Sequence, residues 1–388
     1  MINFLYKIKN KIYFPLRLLL KVTFIILKKN YSKYPKYVLN FEEQLGKKFN
    51  SKYSLTFSSG SAACMSSILS LGQKKNSLAF VSKLSFPSTI ISLLNSNYTI
   101  KYLDFDLNFN PIFPTSDNNI TPDLIIITHV FGFPVGFKEL ELIKAKYKGV
   151  KIIFDCSHSQ GAKINGKHLC EYADLTFISL QGSKAISGGE GGLVLTNDEI
   201  YYNRMVKLSH PGRANSKIEN KYAGISMSLK LRMHPLAAVI AESTLKTLDK
   251  HNFIINKKFN IIYNILSKTN SIKIPNIENL NLGGFHYGLP FYSERKLNDN
   301  NFFPIKSYNW PLYEVNDFYK TENFYLSNFF EQEKKYSEFI NNTIKVDDLR
   351  SKLFFIDLDW IKSNSEKYIT KSINNFLMSI KEPKFYVD

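Results

Sequence analysis

Residues 179–192 read SLQGSKAISGGEGG, with one lysine, Lys184, a few residues past an apolar run and four glycines around a glutamate just beyond it. A solvated lysine needs no such setting. A lysine amine that bonds covalently to a carbonyl does, because glycine lets backbone pass close to a ligand. Other residues could complete that chemistry. Asp155 ends the run VKIIFD and could keep a proton on a ring nitrogen. Ser59-Gly60-Ser61 stands where an apolar run passes into a helical one, so free N–H groups and the helix dipole would favour a phosphate there. Ser179 could add a hydroxyl to the same phosphate, and Phe86 a flat apolar surface. Taken singly these are common residues: an aspartate at a strand end is more often a cap, and Phe86 alone reads as core. As an ordered set they are what a pyridoxal 5'-phosphate enzyme requires.

The elements that must position this set are legible as alternating short apolar runs and helical stretches. SLTFSS leads into SAACMSSILSLG, and SLAFVS into PSTIISLLNS; then follow IKYLDF, DLIIITHVFG, a helix near 137–148, VKIIFDCS, DLTFISL and GGLVLTND. Nearly all-apolar strands alternating with helices predict a mostly parallel sheet covered on both faces, whose ligands bind at the carboxyl ends of the strands. The polar residues of interest fall there: Ser58 to Ser61, His129, Asp155 to His158, and Ser179 to Lys184. After Arg232 a long helical pattern predicts one connecting helix or two in succession. The domain reading is an N-terminal arm over 1–37, a large domain over 38–250 and a smaller α+β domain over 251–388.

Composition is that of an ordinary globular protein of 388 residues, 44% hydrophobic and 22% charged. Three scattered cysteines, Cys64, Cys156 and Cys170, make no disulfide framework and fit a reducing, cytoplasmic setting. The net charge is +18, and Met1 to Phe41 holds nine Lys or Arg with no acidic residue. Half the excess is therefore local, and nucleic acid is not among the predicted partners. Within the arm, Ile12 to Leu27 is too short for a membrane span and is interrupted by Arg17 and Lys21. On a helix Arg17, Lys21 and Lys28 share one face, leaving a broad apolar one. That pattern fits peripheral contact of residues 1–30 with the inner membrane face, and equally an arm laid on a partner subunit.

Five ordered stretches then carry a resemblance: LTFSSGSAA, LSFPSTIISLL, FDCSHSQGA, FISLQGSKAISGGEGGLVLTND and LRMHPLAAVIAESTLKTLD. Across roughly residues 38–250 the chain resembles the DegT/StrS-type sugar aminotransferases, which have the type I pyridoxal phosphate fold. The resemblance implies that Lys184 is the Schiff-base lysine and proton-transfer base. Asp155 then pairs with the ring nitrogen, and His158 approaches the cofactor's phenolic oxygen. Gly60, Ser61 and Ser179 contact the phosphate, beside Ser59 of the same turn, and Phe86 stacks on the ring. It also implies a homodimer with a shared active site, and transfer of an amino group from an amino-acid donor, glutamate, to a nucleotide-linked keto-sugar for surface glycan synthesis.

Three departures stand out. Phe154 replaces a glutamate common before the aspartate. Lys230 occupies the position of an asparagine that reaches the cofactor phosphate across the dimer, and is carried as its replacement. The C-terminal third matches poorly, SYNWPLY apart. Two related readings remain: a pyridoxal phosphate sugar dehydratase, in which a histidine would replace Lys184, and a non-catalytic, membrane-associated relic of the fold. No metal site is predicted, because Cys156, His158, His168 and Cys170 match no standard zinc spacing. Dinucleotide and P-loop glycine motifs are absent.

Overall fold

The computed structural model describes residues 18–20, 22–24, 26, 36–72, 77–113, 120–210, 229–276, 281–294, 303–307 and 352–381. Arg17, Lys21 and Lys28 of the arm, and Tyr308 to Tyr313 of the SYNWPLY stretch, lie outside them. The strands are β1 (Tyr53–Phe57), β2 (Leu78–Ser82), β3 (Thr99–Phe105), β4 (Pro111–Ile112), β5 (Leu124–Thr128), β6 (Lys151–Asp155), β7 (Lys163–Ile164) and β8 (Lys167–His168). They continue with β9 (Leu175–Ser179), β10 (Gly192–Thr196), β11 (Ile272–Lys273), β12 (Gly288–Ser293), β13 (Ile305–Ser307) and β14 (Leu353–Asp357). The helices are α1 (Lys36–Phe49), α2 (Gly60–Ser70), α3 (Pro87–Asn95), α4 (Phe137–Lys146), α5 (Glu199–Ser209), α6 (Pro235–Leu245), α7 (Leu248–Leu266), α8 (Leu358–Ser363) and α9 (Glu366–Lys381).

By contacts the chain divides into two compact units, 1–73 with 170–248, and 74–169 with 249–388. In the first unit β10 pairs antiparallel with both β1 and β9. Helix α1 shows why a sequence of this kind folds. Val38, Phe41, Leu45 and Phe49 recur at helical spacing and are buried. From the same face the Glu42 carboxylate accepts the Thr56 N–H and hydroxyl, both at 2.8 Å. A buried carboxylate so placed satisfies an outer strand's orphan donor.

In the second unit the strand order runs β6-β5-β2-β3-β4. The first four are parallel and only the short β4 is antiparallel, the large parallel sheet flanked by helices that the alternation predicts. β5 is LIIIT, buried throughout, as a strand covered on both faces must be. A second sheet, β11-β12-β14-β13, is wholly antiparallel. Its Phe291 and Phe355 share one core with Phe105, Phe131 and Phe133 and with Phe259 of α7. The helical pattern after Arg232 resolves into two helices, α6 and α7, separated at Lys246 and Thr247. His234 caps α6, its Nδ1 accepting the Leu236 N–H at 3.2 Å, with Pro235 at the first helical position.

Candidate active site

In the first unit the candidate phosphate cradle is built by close approach of backbone. Ser59 is the N-cap of α2, and its hydroxyl accepts the Ala62 N–H at 3.1 Å. The first turn carries no acidic residue, so the positive end of the helix dipole is not offset there. The N–H groups of Gly60 and Ser61, at the first helical positions, have no intrahelical acceptor. Gly60 lies directly on Ser179: a Cβ there would stand 2.7 Å from the Ser179 Cβ and 3.1 Å from its Oγ. Gly192, at the start of β10, lies on the other side of the chain turn, where a Cβ would stand 2.2 Å from the Ser59 carbonyl oxygen. Two missing side chains thus bring the end of β9 and the start of β10 against the helix N-terminus. The Gly60 and Ser61 N–H groups are the donors this turn could offer an anion.

Lys184 is half-buried in the loop that follows β9. The loop is compact: Lys184 N donates to Gln181 O at 2.9 Å, and Leu180 exchanges backbone bonds with Gly191 and Gly188, both at 2.8 Å. Thr244 of α6 fixes its far side, the hydroxyl accepting the Ser187 N–H at 2.9 Å. The glycines answer local demands. Gly189 and Gly191 have φ of 82° and 150°, and a Cβ on Gly188 would meet the Ala237 carbonyl at 2.8 Å. Lys230, exposed, has φ of 49°. Its neighbours are pinned, Leu231 N to Ser209 O at 2.8 Å and Ser58 N to Leu231 O at 2.8 Å.

In the second unit three adjacent parallel strands place the other predicted residues. Asp155 ends β6, buried, and its Oδ1 accepts the Ser157 N–H at 2.9 Å. Thr128 ends β5 in register with Asp155, and its hydroxyl meets that of Ser85 at 2.7 Å. Ser85 precedes Phe86, the half-exposed residue that opens α3. His129, 1% exposed, follows Thr128. Its Nδ1 accepts the Val135 N–H at 3.0 Å, so the ring is neutral with the proton on Nε2. Burial pushes its pKa down to about 3. Among the described residues that Nε2 has no hydrogen-bond partner. Phe154, the departure noted before Asp155, lies edge-on to it at 4.4 Å.

His158 is held by residues that sequence reasoning missed. Its ring lies 4.2 Å from that of His286, tilted 35°, and stacks on Phe131 at 6.0 Å. Tyr287 meets it edge-on at 6.1 Å. The signal in the sequence was GGFHYG, a glycine pair before aromatics, within the third that matched poorly. No group of three or more His, Cys, Asp or Glu among the described residues could hold a metal ion.

The fold is that of the type I pyridoxal phosphate aminotransferases. It matches the solved structure of Escherichia coli GDP-4-keto-6-deoxy-D-mannose-3-dehydratase with bound hydrated PLP at a TM-score of 0.71 and 19% identity, covering 92% of this chain and 96% of that one. The model of the DegT/DnrJ/EryC1/StrS aminotransferase family matches residues 19–339, and the chain belongs to that family. Among individual relatives, the GDP-perosamine synthase of Escherichia coli O157:H7 is 26% identical over 228 residues, 57% of this chain and 60% of that protein. The 3-oxo-glucose-6-phosphate:glutamate aminotransferase of Bacillus subtilis (strain 168) is 27% identical over 221 residues, 56% of this chain and 48% of that protein. The matched stretch thus spans between about half and three-fifths of these relatives.

Proposed function

We propose that this chain is a pyridoxal 5'-phosphate-dependent aminotransferase that moves an amino group from glutamate to a nucleotide-linked keto-sugar destined for a surface glycan. The observation that carries the reading is the cradle at the start of α2, where Gly60 and Gly192 leave no space for side chains and Ser179 lies against the helix N-terminus. In this reading Ser59, Gly60, Ser61 and Ser179 hold the phosphate. Lys184 anchors the cofactor and shuttles a proton at the substrate carbon. Asp155 keeps the ring nitrogen protonated, His158 attends the phenolic oxygen and Phe86 covers the ring. Bound, the cofactor would supply a carbonyl to take up the amino group and a ring to accept electrons. Family membership and the relatives' own names, a GDP-perosamine synthase and a 3-oxo-glucose-6-phosphate:glutamate aminotransferase, support the substrate classes.

The test is amination of nucleotide-linked keto-sugars with glutamate by the cofactor-loaded chain. Formation of 2-oxoglutarate with an amino sugar is expected. A loaded protein that releases ammonia and a deoxygenated sugar instead is a dehydratase, and one that turns over nothing is a relic. In the dimeric reading Lys230 reaches the phosphate from the neighbouring subunit, and the protein is cytoplasmic.

No helix among the described residues is long and apolar enough to cross a membrane. Leu19, Leu20, Phe24 and Ile26 are all exposed. We assign these apolar side chains to peripheral contact with anionic membrane. Deleting residues 1–30 should release the protein from anionic vesicles and preserve activity. Collapse to inactive monomers would assign the arm to the partner subunit instead.

A further inference from the structure

We propose that His286 is a positioning residue for His158: a turn over residues 281–288 lays the His286 ring on the His158 ring and so fixes the orientation His158 offers to the cofactor. The inference rests on the pyridoxal phosphate reading above, and every observation for it lies within the second unit.

The turn is built to come close. A Cβ on Gly284 would stand 2.5 Å from Gln160 N and 2.7 Å from His158 O, and one on Gly283 would stand 2.4 Å from Ala162 N. Only glycine at both positions lets the two backbones touch. Asn252 of α7 then ties them, its Nδ2 donating to Gln160 O at 2.9 Å while its Oδ1 accepts Gly284 N at 3.1 Å. Lys163 N donates to Asn281 O at 2.9 Å. The backbone that carries His158 is therefore clamped to the backbone that carries His286.

The conformation of the turn is unusual for its residues. Gly284, Phe285, Tyr287 and Gly288 have φ of 73°, 49°, 68° and 142°. Bulky residues avoid the left-handed region unless surrounding structure holds them there, and such residues cluster at functional sites. A second turn of the same kind, Phe131 and Gly132 with φ of 56° and 98°, interlocks with the first through Gly283 N and Gly132 O at 3.3 Å. The result is a ring set around His158. His286 lies at 4.2 Å, Phe131 at 6.0 Å and Tyr287 at 6.1 Å, while Phe355 backs Phe131 at 4.7 Å and Tyr287 at 5.7 Å. An imidazole so surrounded keeps one rotamer. His286, half-exposed, makes the closest of these ring contacts, and its role is to present a flat face.

The experiment compares wild type, His158→Ala, His286→Ala, His286→Phe and the double variant His158→Ala/His286→Ala. Each is loaded with pyridoxal phosphate without substrate, and the visible circular dichroism of the bound chromophore is recorded beside turnover. His286→Ala should change the visible band in the same sense as His158→Ala and lower turnover by about tenfold, the scale of a small misplacement at a reacting centre. The double variant should match His158→Ala alone, because His286 acts only through His158. His286→Phe, which restores a flat ring, should recover the wild-type band. If His286→Ala is unstable, His286→Leu keeps the bulk without the flat face and should behave as predicted for Ala. An unchanged band in His286→Ala, or additive effects in the double variant, overturns the proposal. A wild-type chain that acquires no visible band at all overturns the cofactor reading instead.

Discussion

Replacing Gly192 by alanine tests the cradle without touching any group that does chemistry. The new Cβ would lie 2.2 Å from Ser59 O and 2.9 Å from Gly60 N, whereas real Cβ atoms essentially never come within 3.0 Å of such atoms. Both neighbours are backbone, so no flexible side chain can swing aside. The Ser59–Gly60 turn must retreat by close to an ångström. Overpacking of this kind costs about 1–3 kcal/mol of stability, and it displaces the N–H groups that would hold a phosphate. Thermal unfolding of the cofactor-free protein should fall by a few degrees. Cofactor affinity, titrated by visible absorbance, should fall at least about tenfold, which corresponds to roughly 1.4 kcal/mol. Gly149→Ala is the control, since Gly149 has φ of 79° with nothing within 4 Å of a Cβ. It should lose stability through backbone strain alone and keep full affinity. A Gly192→Ala protein that is destabilised yet binds the cofactor as wild type does would refute the placement of the phosphate at this turn.

Lys184→Ala should abolish transamination while thermal unfolding of the cofactor-free protein stays near wild type, and borohydride reduction of the loaded wild type should label Lys184 alone by peptide mapping. Asp155→Asn should cost about 4 kcal/mol or more in the barrier, several orders of magnitude in turnover, since an amide cannot hold the ring proton; near-normal rates would place another group at the ring nitrogen. Acid should destabilise the fold through His129, whose folded pKa of about 3 lies below the ordinary 6.5. The unfolded chain takes up the proton below pH 6.5 and the native one does not until near pH 3, so stability falls as pH drops through that window, by about 2 kcal/mol at pH 5. His129→Asn, which can keep an acceptor for Val135 N, should lessen the loss measured by urea midpoints at pH 7 and pH 5. His251, lowered to about 4 by burial and by Lys362, adds a loss of about the same size at pH 5, so His129→Asn should remove about half of the combined loss.

How much of the fold and site was legible in the sequence depended on whether the cause was local. The runs LIIIT and KIIFD are apolar nearly throughout, so their strand character and double-sided burial could be read from the residues themselves. Asp155 and the Ser59–Ser61 turn were readable too, because each closes its own strand. β1 (YSLTF) and β10 (GLVLT) read as strands too, yet β10 pairs antiparallel with its neighbours. Direction is set by the connection between strands: residues 180–191, which join β9 to β10, hold no crossover helix, so the two run antiparallel. His286 stayed hidden because its meaning comes from a ring contributed more than a hundred positions earlier and from Asn252 on α7. Only the glycine pair before it was visible, and a glycine pair by itself reads as a turn.

Lys230 joins the two kinds of information. The resemblance places an asparagine there and explains it by a contact to the cofactor phosphate. The structure adds a second reason, since the residue has φ of 49°, in the left-handed region that asparagine tolerates better than most side chains. Backbone bonds at Leu229, Leu231 and Ser58 fix that conformation whatever residue occupies the position. Conformation and contact are therefore separable here, and two substitutions separate them. Lys230→Asn should relieve strain and raise the unfolding temperature of the cofactor-free protein. Lys230→Gly should raise it as well, while losing whatever the ammonium contributes to a phosphate, about 1.5–3 kcal/mol for a hydrogen bond to a charged group. If the glycine variant retains cofactor on dialysis as well as wild type does, the ammonium is not a phosphate ligand. The left-handed turn alone then accounts for the asparagine of the family pattern.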